Sequence, residues 1–343
     1  MAHGTKYEKG DGKMKASRLV KILLAAALVF ALSFPVMAAD YTIKVGTIVS
    51  ESHPDYICMK DVFKPYVEKN SNGKIKVELY PNAQLGGDRE MSESVQMGTI
   101  QIALPATSAI AGFDKRFQVL DLPFLFTSRE SAFKALDGEL GKKLDSYLLP
   151  LGFVNLGYFE NGFRHVTNSR NPVFVPADMK GLKLRTMENP MHIAFFKMLG
   201  ANPTPMNFGE LYTALQQKTV DGEENPVAIV YDAKFYEVQK YYSLTGHVFS
   251  ATMALTSKAF LDKLPADLRN VVMKGGREFV LAQRKLIASQ ENKLLEELKA
   301  KGMKVNTLTP AQKDQFVKAT RPVYDQFQDQ LGAEIVGIAK KVK

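Results

Sequence analysis

Cysteine is almost missing from this chain. Cys58 is the only one in 343 residues, so no internal disulfide can staple the fold and its stability has to come from the core. Tyr56-Ile57-Cys58 falls on an apolar helical stripe, which predicts a packing residue rather than a nucleophile. Histidine is scarce as well, and the five at positions 3, 53, 165, 192 and 247 have no metal-ligand spacing. The nucleophile elbow G-x-S-x-G, the P-loop, the dinucleotide fingerprint G-x-G-x-x-G and the zinc motif H-E-x-x-H are absent. These absences weigh against the common α/β enzymes, and they call for neither cofactor nor metal.

Basic runs are lacking too, despite a formal charge of +9. Lys6, Lys9, Lys13, Lys15, Arg18 and Lys21 fall in the first 39 positions against only Glu8 and Asp11. Without that segment the chain keeps +5, scattered among acids, with no RNP-like aromatic motif. No nucleic-acid partner is expected.

What is present begins with an address. Lys15, Arg18 and Lys21 precede an uncharged stretch, Ile22 to Ala39, that closes on Pro-Val-Met-Ala-Ala. This is the basic, apolar and small-residue order of a secretory signal peptide, cut after Ala38 or Ala39. Met14 fits as a start, which makes residues 1–13 a leader. The alternative is a retained anchor helix, since the stretch approaches spanning length; Pro35 and the small residues before Asp40 favour cleavage. No cysteine stands at the cut to carry a lipid, and nothing later is apolar enough for a span.

Apolar residues at 45% and charged residues at 24% are the proportions of a globular protein, and the length favours two domains. Tyr41 to Val45 reads as a strand, His53 to Asn70 as a helix, and Lys74 to Tyr80 as a half-buried strand. Asp88 is expected to cap a helix over Arg89 to Met97 that stops at Gly98, before a strand at Ile100 to Leu104. This βαβαβ opening predicts a mostly parallel sheet covered on both faces. Phe153 to Phe159 and Leu182 to Arg185 read as further strands. Asn189-Pro190 opens a helix that ends at Gly200, and Asn207 to Glu210 has capping-box spacing. After Ser250 the pattern is helical, longest over Lys258 to Lys301. There is no repeat and no Pro- or Gly-rich linker. Two domains without a linker suggest several crossovers and a ligand cleft between lobes.

Three stretches go beyond generic α/β. They are Glu160-Asn-Gly-Phe-Arg-His-Val-Thr-Asn168, Ala177-Asp-Met-Lys-Gly-Leu-Lys-Leu-Arg185, and Leu199-Gly-Ala-Asn-Pro-Thr-Pro-Met206. The last continues through Asn207 to Asp221-Gly-Glu-Glu-Asn225-Pro226, and Tyr80 to Gly86 and Phe235 to Lys240 match as well. Together, in this order and across the chain from about Asp40, they resemble the DctP family. These are the solute-binding subunits of tripartite ATP-independent periplasmic (TRAP) transporters.

The resemblance implies a two-lobed periplasmic-binding-protein (Venus-flytrap) fold with a ligand cleft between lobes and long C-terminal helices. Residues 40–162 plus 251–290 would form lobe I, and 163–250 plus 291–343 lobe II. It implies capture of a small organic carboxylate and delivery to membrane subunits by a periplasmic monomer that is not an enzyme. Arg185 would bind the ligand carboxylate with help from Asn225, Arg164 would line the site, and Phe208 would pack on the ligand. Asp88, Thr107 and Glu160 complete the candidate set.

Residue chemistry supports these roles less sharply. Arg185 ends a strand, where α/β proteins bind ligands, and its planar fork matches a carboxylate as lysine cannot. Most strand-end arginines, however, are solvated or paired with nearby acids. Glu160, four residues from Arg164, could simply pair with it, and Phe208 beside a capping Asn could be a core residue. Gly98 to Gly112 carries no charge. Sialic-acid members place a Glu and an Arg there, where Thr107 and Ile110 stand, so a smaller C4-dicarboxylate, keto-sugar acid or other hydroxy or keto acid fits better. A ligand sensor for a signalling system, or an exported enzyme, would share much of this pattern.

Overall fold

The computed structural model describes residues 1–5 and 39–341. The leader and signal-peptide reading falls on positions outside those described, apart from the first five residues and Ala39. From Asp40 onward the chain forms one compact unit.

The first half begins with β1 (Tyr41–Gly46), which pairs in parallel with β2 (Ile75–Tyr80). The helix expected between them is split into α1 (Pro54–Cys58) and α2 (Lys64–Asn70) around a π-helical turn, Met59–Phe63. Pro65 at the start of α2 has no N–H to return to the preceding turn, which accounts for the break. Cys58 is 4% exposed among core residues, and burial pushes its thiol up to about 11. It is a packing residue, as its stripe predicted.

Helix α3 (Asp88–Met97) ends at Gly98 with φ +79, a left-handed conformation glycine adopts freely. Its N-cap is Gly87, not Asp88, whose carboxylate instead accepts from Ala106 N at 3.1 Å. Strand β3 (Ile102–Ala103) joins β1 in parallel, and α4 (Thr107–Ile110) follows. Next come α5 (Arg129–Leu136) and α6 (Glu139–Leu148).

The second half hangs on a long ribbon. Strand β4 (Phe153–Asn168) leads to β5 (Lys183–Thr186), α7 (Pro190–Met198), β6 (Asn202–Pro205) and α8 (Phe208–Gln216). The chain continues through β7 (Gly222–Asn225) and α9 (Val227–Asp232) into β8 (Tyr241–Ser257). Asn189 caps α7 through Met191 N at 2.9 Å. Asn207 caps α8 through Gly209 N at 3.1 Å, without a reciprocal Glu210 bond among the described residues.

The sheet order is β2-β1-β3-β8-β4-β7-β5-β6. Strands β4 and β8 pair antiparallel from Phe153–Ser257 to Asn168–Tyr241; β3 joins β8 at one end and β7 joins β4 at the other. Two half-sheets therefore share one spine, the two-lobed α/β architecture. The mostly parallel sheet expected from the sequence is corrected to a mixed one, because the spine and its pairings with β3 and β7 are antiparallel. The helical reading after Ser250 is corrected as well: β8 runs to Ser257. Ala251 to Ser257 is buried throughout, so it lacks the alternation that marks a half-exposed strand.

Register shifts at Glu160/Gly162 and Arg164/Val166 bend the ribbon between the halves. Gly162, with φ +123, lets β4 pass close to Pro226, which a Cβ would approach to 3.0 Å. The helix α10 (Lys258–Lys263) leads into the 35-residue α11 (Ala266–Ala300), which packs on β4, α1 and α2 in one half and α9 in the other. After β9 (Lys304–Thr307), α12 (Pro310–Thr320) and α13 (Pro322–Leu331) pack on α7. Helix α14 (Ala333–Lys340) packs on α6. The C-terminal helices touch both halves.

Candidate functional site

Parallel strands end on one side of the sheet, and the residues just past those ends converge there. Ile48 follows β1, Asp88 opens α3, and Ala106 and Ala109 flank the start of α4. Arg185 and Met187 follow from β5, Met206 and Phe208 from β6, Asn225 closes β7, and Asn161 and Arg164 come from the bend in β4. All line one cleft. It leaves a cavity of about 70 Å³, which suits a small molecule.

Arg185 is 3% exposed. Its Nε and Nη2 donate to the carbonyl of Met206 at 3.0 and 2.7 Å, which fixes the plane of the guanidinium. Among the described residues it has no salt-bridge partner and Nη1 makes no hydrogen bond, so that edge of the fork is left for the cleft. Burial lowers its pKa to about 10, partly offset by Glu224; it stays a cation at neutral pH.

Arg164 also lines the cleft, but its charge is spent. Its Nη2 donates to Glu224 Oε1 at 2.8 Å and its Nε to Oε2, with both residues at 1% exposure or less. The pairing with Glu160 suggested by sequence is corrected: Glu160 binds Arg129 instead and lies outside this cleft. Burial opposes ionisation of both members. Glu224 nonetheless outweighs it to raise Arg164, and Arg164, with His192 and His247, holds Glu224 well below the carboxylate range. His247 Nε2 lies 3.0 Å from Glu224 Oε2, and His192 Nε2 lies 3.1 Å from Asp121 Oδ1.

Asn225 is brought beside Arg185, and its Nδ2 donates to Glu223 Oε2. Phe208 lines the cleft while its ring sits 5.9 Å from that of Phe235, so it is both lining and core. Asp88 lies in the cleft. Thr107 does not: its hydroxyl donates to Ala251 O at 3.1 Å. Sequence reasoning missed Asn161, although it stands in a matched motif, and Glu224, which is 60 residues from its arginine. The expected neutral wall is present as Ala106, Ala109 and Gly112.

Burial pushes Glu223 up to about 7, partly offset by its bonds to Asn225 and Thr167. The folded chain thus keeps a proton that the unfolded chain releases above the ordinary 4.5, and stability falls as pH rises from there through about 7. Glu223→Gln removes that loss. Its stability relative to wild type should rise between about pH 5 and about pH 8, read from urea midpoints. Parallel pH dependence in the two proteins would contradict it.

A small cleft at the strand ends of two halves, with one guanidinium edge left open, defines a two-lobed binding protein for a small anion. The family model for bacterial extracellular solute-binding protein, family 7 (DctP), matches residues 45–330, and the chain belongs to that family. The resemblance carried by the three motifs is borne out. The 2,3-diketo-L-gulonate-binding periplasmic protein YiaO of Escherichia coli K12 is 38% identical over 294 residues, covering 86% of this chain and 89% of the relative. A TRAP periplasmic solute-binding protein from Polaromonas sp. JS666, solved with D-erythronate, aligns with TM-score 0.85 and 38% identity, covering 88% of this chain and 99% of that one. Another from Sulfurospirillum deleyianum, solved with succinate, gives TM-score 0.85 and 36% identity over 89% and 100%.

Proposed function

We propose that this chain is exported to the periplasm, captures a small organic acid by its carboxylate, and delivers it unchanged to TRAP membrane subunits. Arg185 is the carboxylate receptor, Asn225 supports it, and Arg164, Phe208 and Asp88 shape the cleft. One observation carries the reading: Arg185 is buried at a strand end, oriented by Met206, and without a carboxylate partner among the described residues. A buried cation with no counter-ion is costly unless a ligand supplies one. The acids bound in the erythronate and succinate structures share the carboxylate that Arg185 would take.

Capture between two halves on a shared ribbon requires closure. At about a hundred times its dissociation constant, a cognate acid should stabilise the fold by roughly 2.7 kcal/mol. The radius of gyration in small-angle scattering should also fall, and the acid should be recovered chemically intact. Failure of every acid in a panel of sugar acids, hydroxy acids, keto acids and dicarboxylates to raise the melting temperature would remove the reading.

A further inference from the structure

We propose that Asp88 makes this cleft selective for hydroxylated monocarboxylates over dicarboxylates, an inference that rests on carboxylate capture at Arg185. The argument is one of charge and of unfilled hydrogen-bond positions. Arg164 is neutralised by both oxygens of Glu224, which leaves Arg185, among the described residues, as the one buried cation in the cleft without a carboxylate partner. A ligand's first carboxylate therefore occupies Arg185, and a second has no buried cation to meet.

The same cleft already contains a carboxyl group. Asp88 Oδ2 is held by Ala106 N at 3.1 Å, whereas Oδ1 is screened from solvent and has no partner among the described residues. A buried acceptor without a protein partner takes a hydrogen-bond donor from water or from a ligand, and a ligand hydroxyl supplies one where a carboxylate cannot. A second carboxylate near Asp88 would add like-charge repulsion in a poorly solvated space.

The other charged groups facing this region do not reverse the balance. Arg89 lines only the exposed rim, where Glu93 pairs with it at 3.0 Å and Glu188 stands nearby. Glu90, on the same helix, adds further negative charge and interacts with Asn207. Burial pushes Asp88 up to about 7, against the pull of Ala106 N–H and Arg185. Its ionised form accepts from a hydroxyl and repels a carboxylate, so the titrations belong at about pH 8, where that form prevails.

Calorimetric titration with D-erythronate and D-galactonate against succinate and L-malate tests this, because erythronate, succinate and malate share a four-carbon length. The best sugar acid should bind at least about a hundredfold more tightly than either dicarboxylate. Asp88→Asn keeps the bond to Ala106 N while removing the charge, and should narrow that ratio by about tenfold or more. A dicarboxylate bound as tightly as the best sugar acid would overturn the inference while leaving carboxylate capture intact. So would a ratio that Asp88→Asn leaves within about threefold of wild type, given matched unliganded melting curves. Binding of none of the four, or of any other small acid, would overturn both.

Discussion

Arg185→Lys should weaken binding of the cognate acid by roughly thirty-fold to several-thousand-fold, the equivalent of about 2–5 kcal/mol. Lysine keeps the charge and much of the aliphatic stem, so general attraction for an anion survives. The fork does two tasks at once, which lysine cannot. Nε and Nη2 hold the Met206 carbonyl while Nη1 stays free for the ligand. A single ammonium reaches either the carbonyl or the carboxylate in that geometry. The residue left short of a partner is buried, and there the shortfall is expensive. Calorimetry of both proteins with one acid, beside their unliganded melting curves, separates loss of binding from loss of fold. An affinity within about threefold of wild type would remove Arg185 from the site.

Arg164→Met should cost about 3–5 kcal/mol of folding stability, because it leaves Glu224 buried without its main counter-ion. The pair lies at the bend of β4 against β7, with both side chains out of contact with water. His192 and His247 remain near Glu224 and are too weakly cationic to replace a guanidinium. Urea unfolding measures the loss. A change under about 1 kcal/mol would mean that the pair behaves like a solvated surface bridge.

Much of this was legible in the sequence where the signal is local. Gly98 ends α3 and Asn189 opens α7 because capping chemistry depends on adjacent residues. Arg185 and Asn225 were found through motifs, and both line the cleft. What sequence reading lost is non-local or masked by burial. Arg164 has an acid one helical turn away in sequence, yet β4 is a strand, where residues four apart are separated by about 13 Å, and the true partner arrives on β7. Asp88 has the residue type of a cap, but Gly87 takes that position and the carboxylate turns toward Ala106. Strand β8 carries Ala, Met and Leu in a fully buried run, which periodicity alone does not separate from a buried helix.

The central claim is that a small acid enters between the two halves with its carboxylate on Arg185. A crystal structure of the chain saturated with an acid that stabilises it tests this most directly. The account predicts a carboxylate oxygen within about 3.2 Å of Arg185 Nη1, with the Asn225 amide beside it and Phe208 against the carbon chain. An acid bound instead in the outer groove beside Asp137, Arg277 and Arg284, with Arg185 touching only Met206, would contradict it.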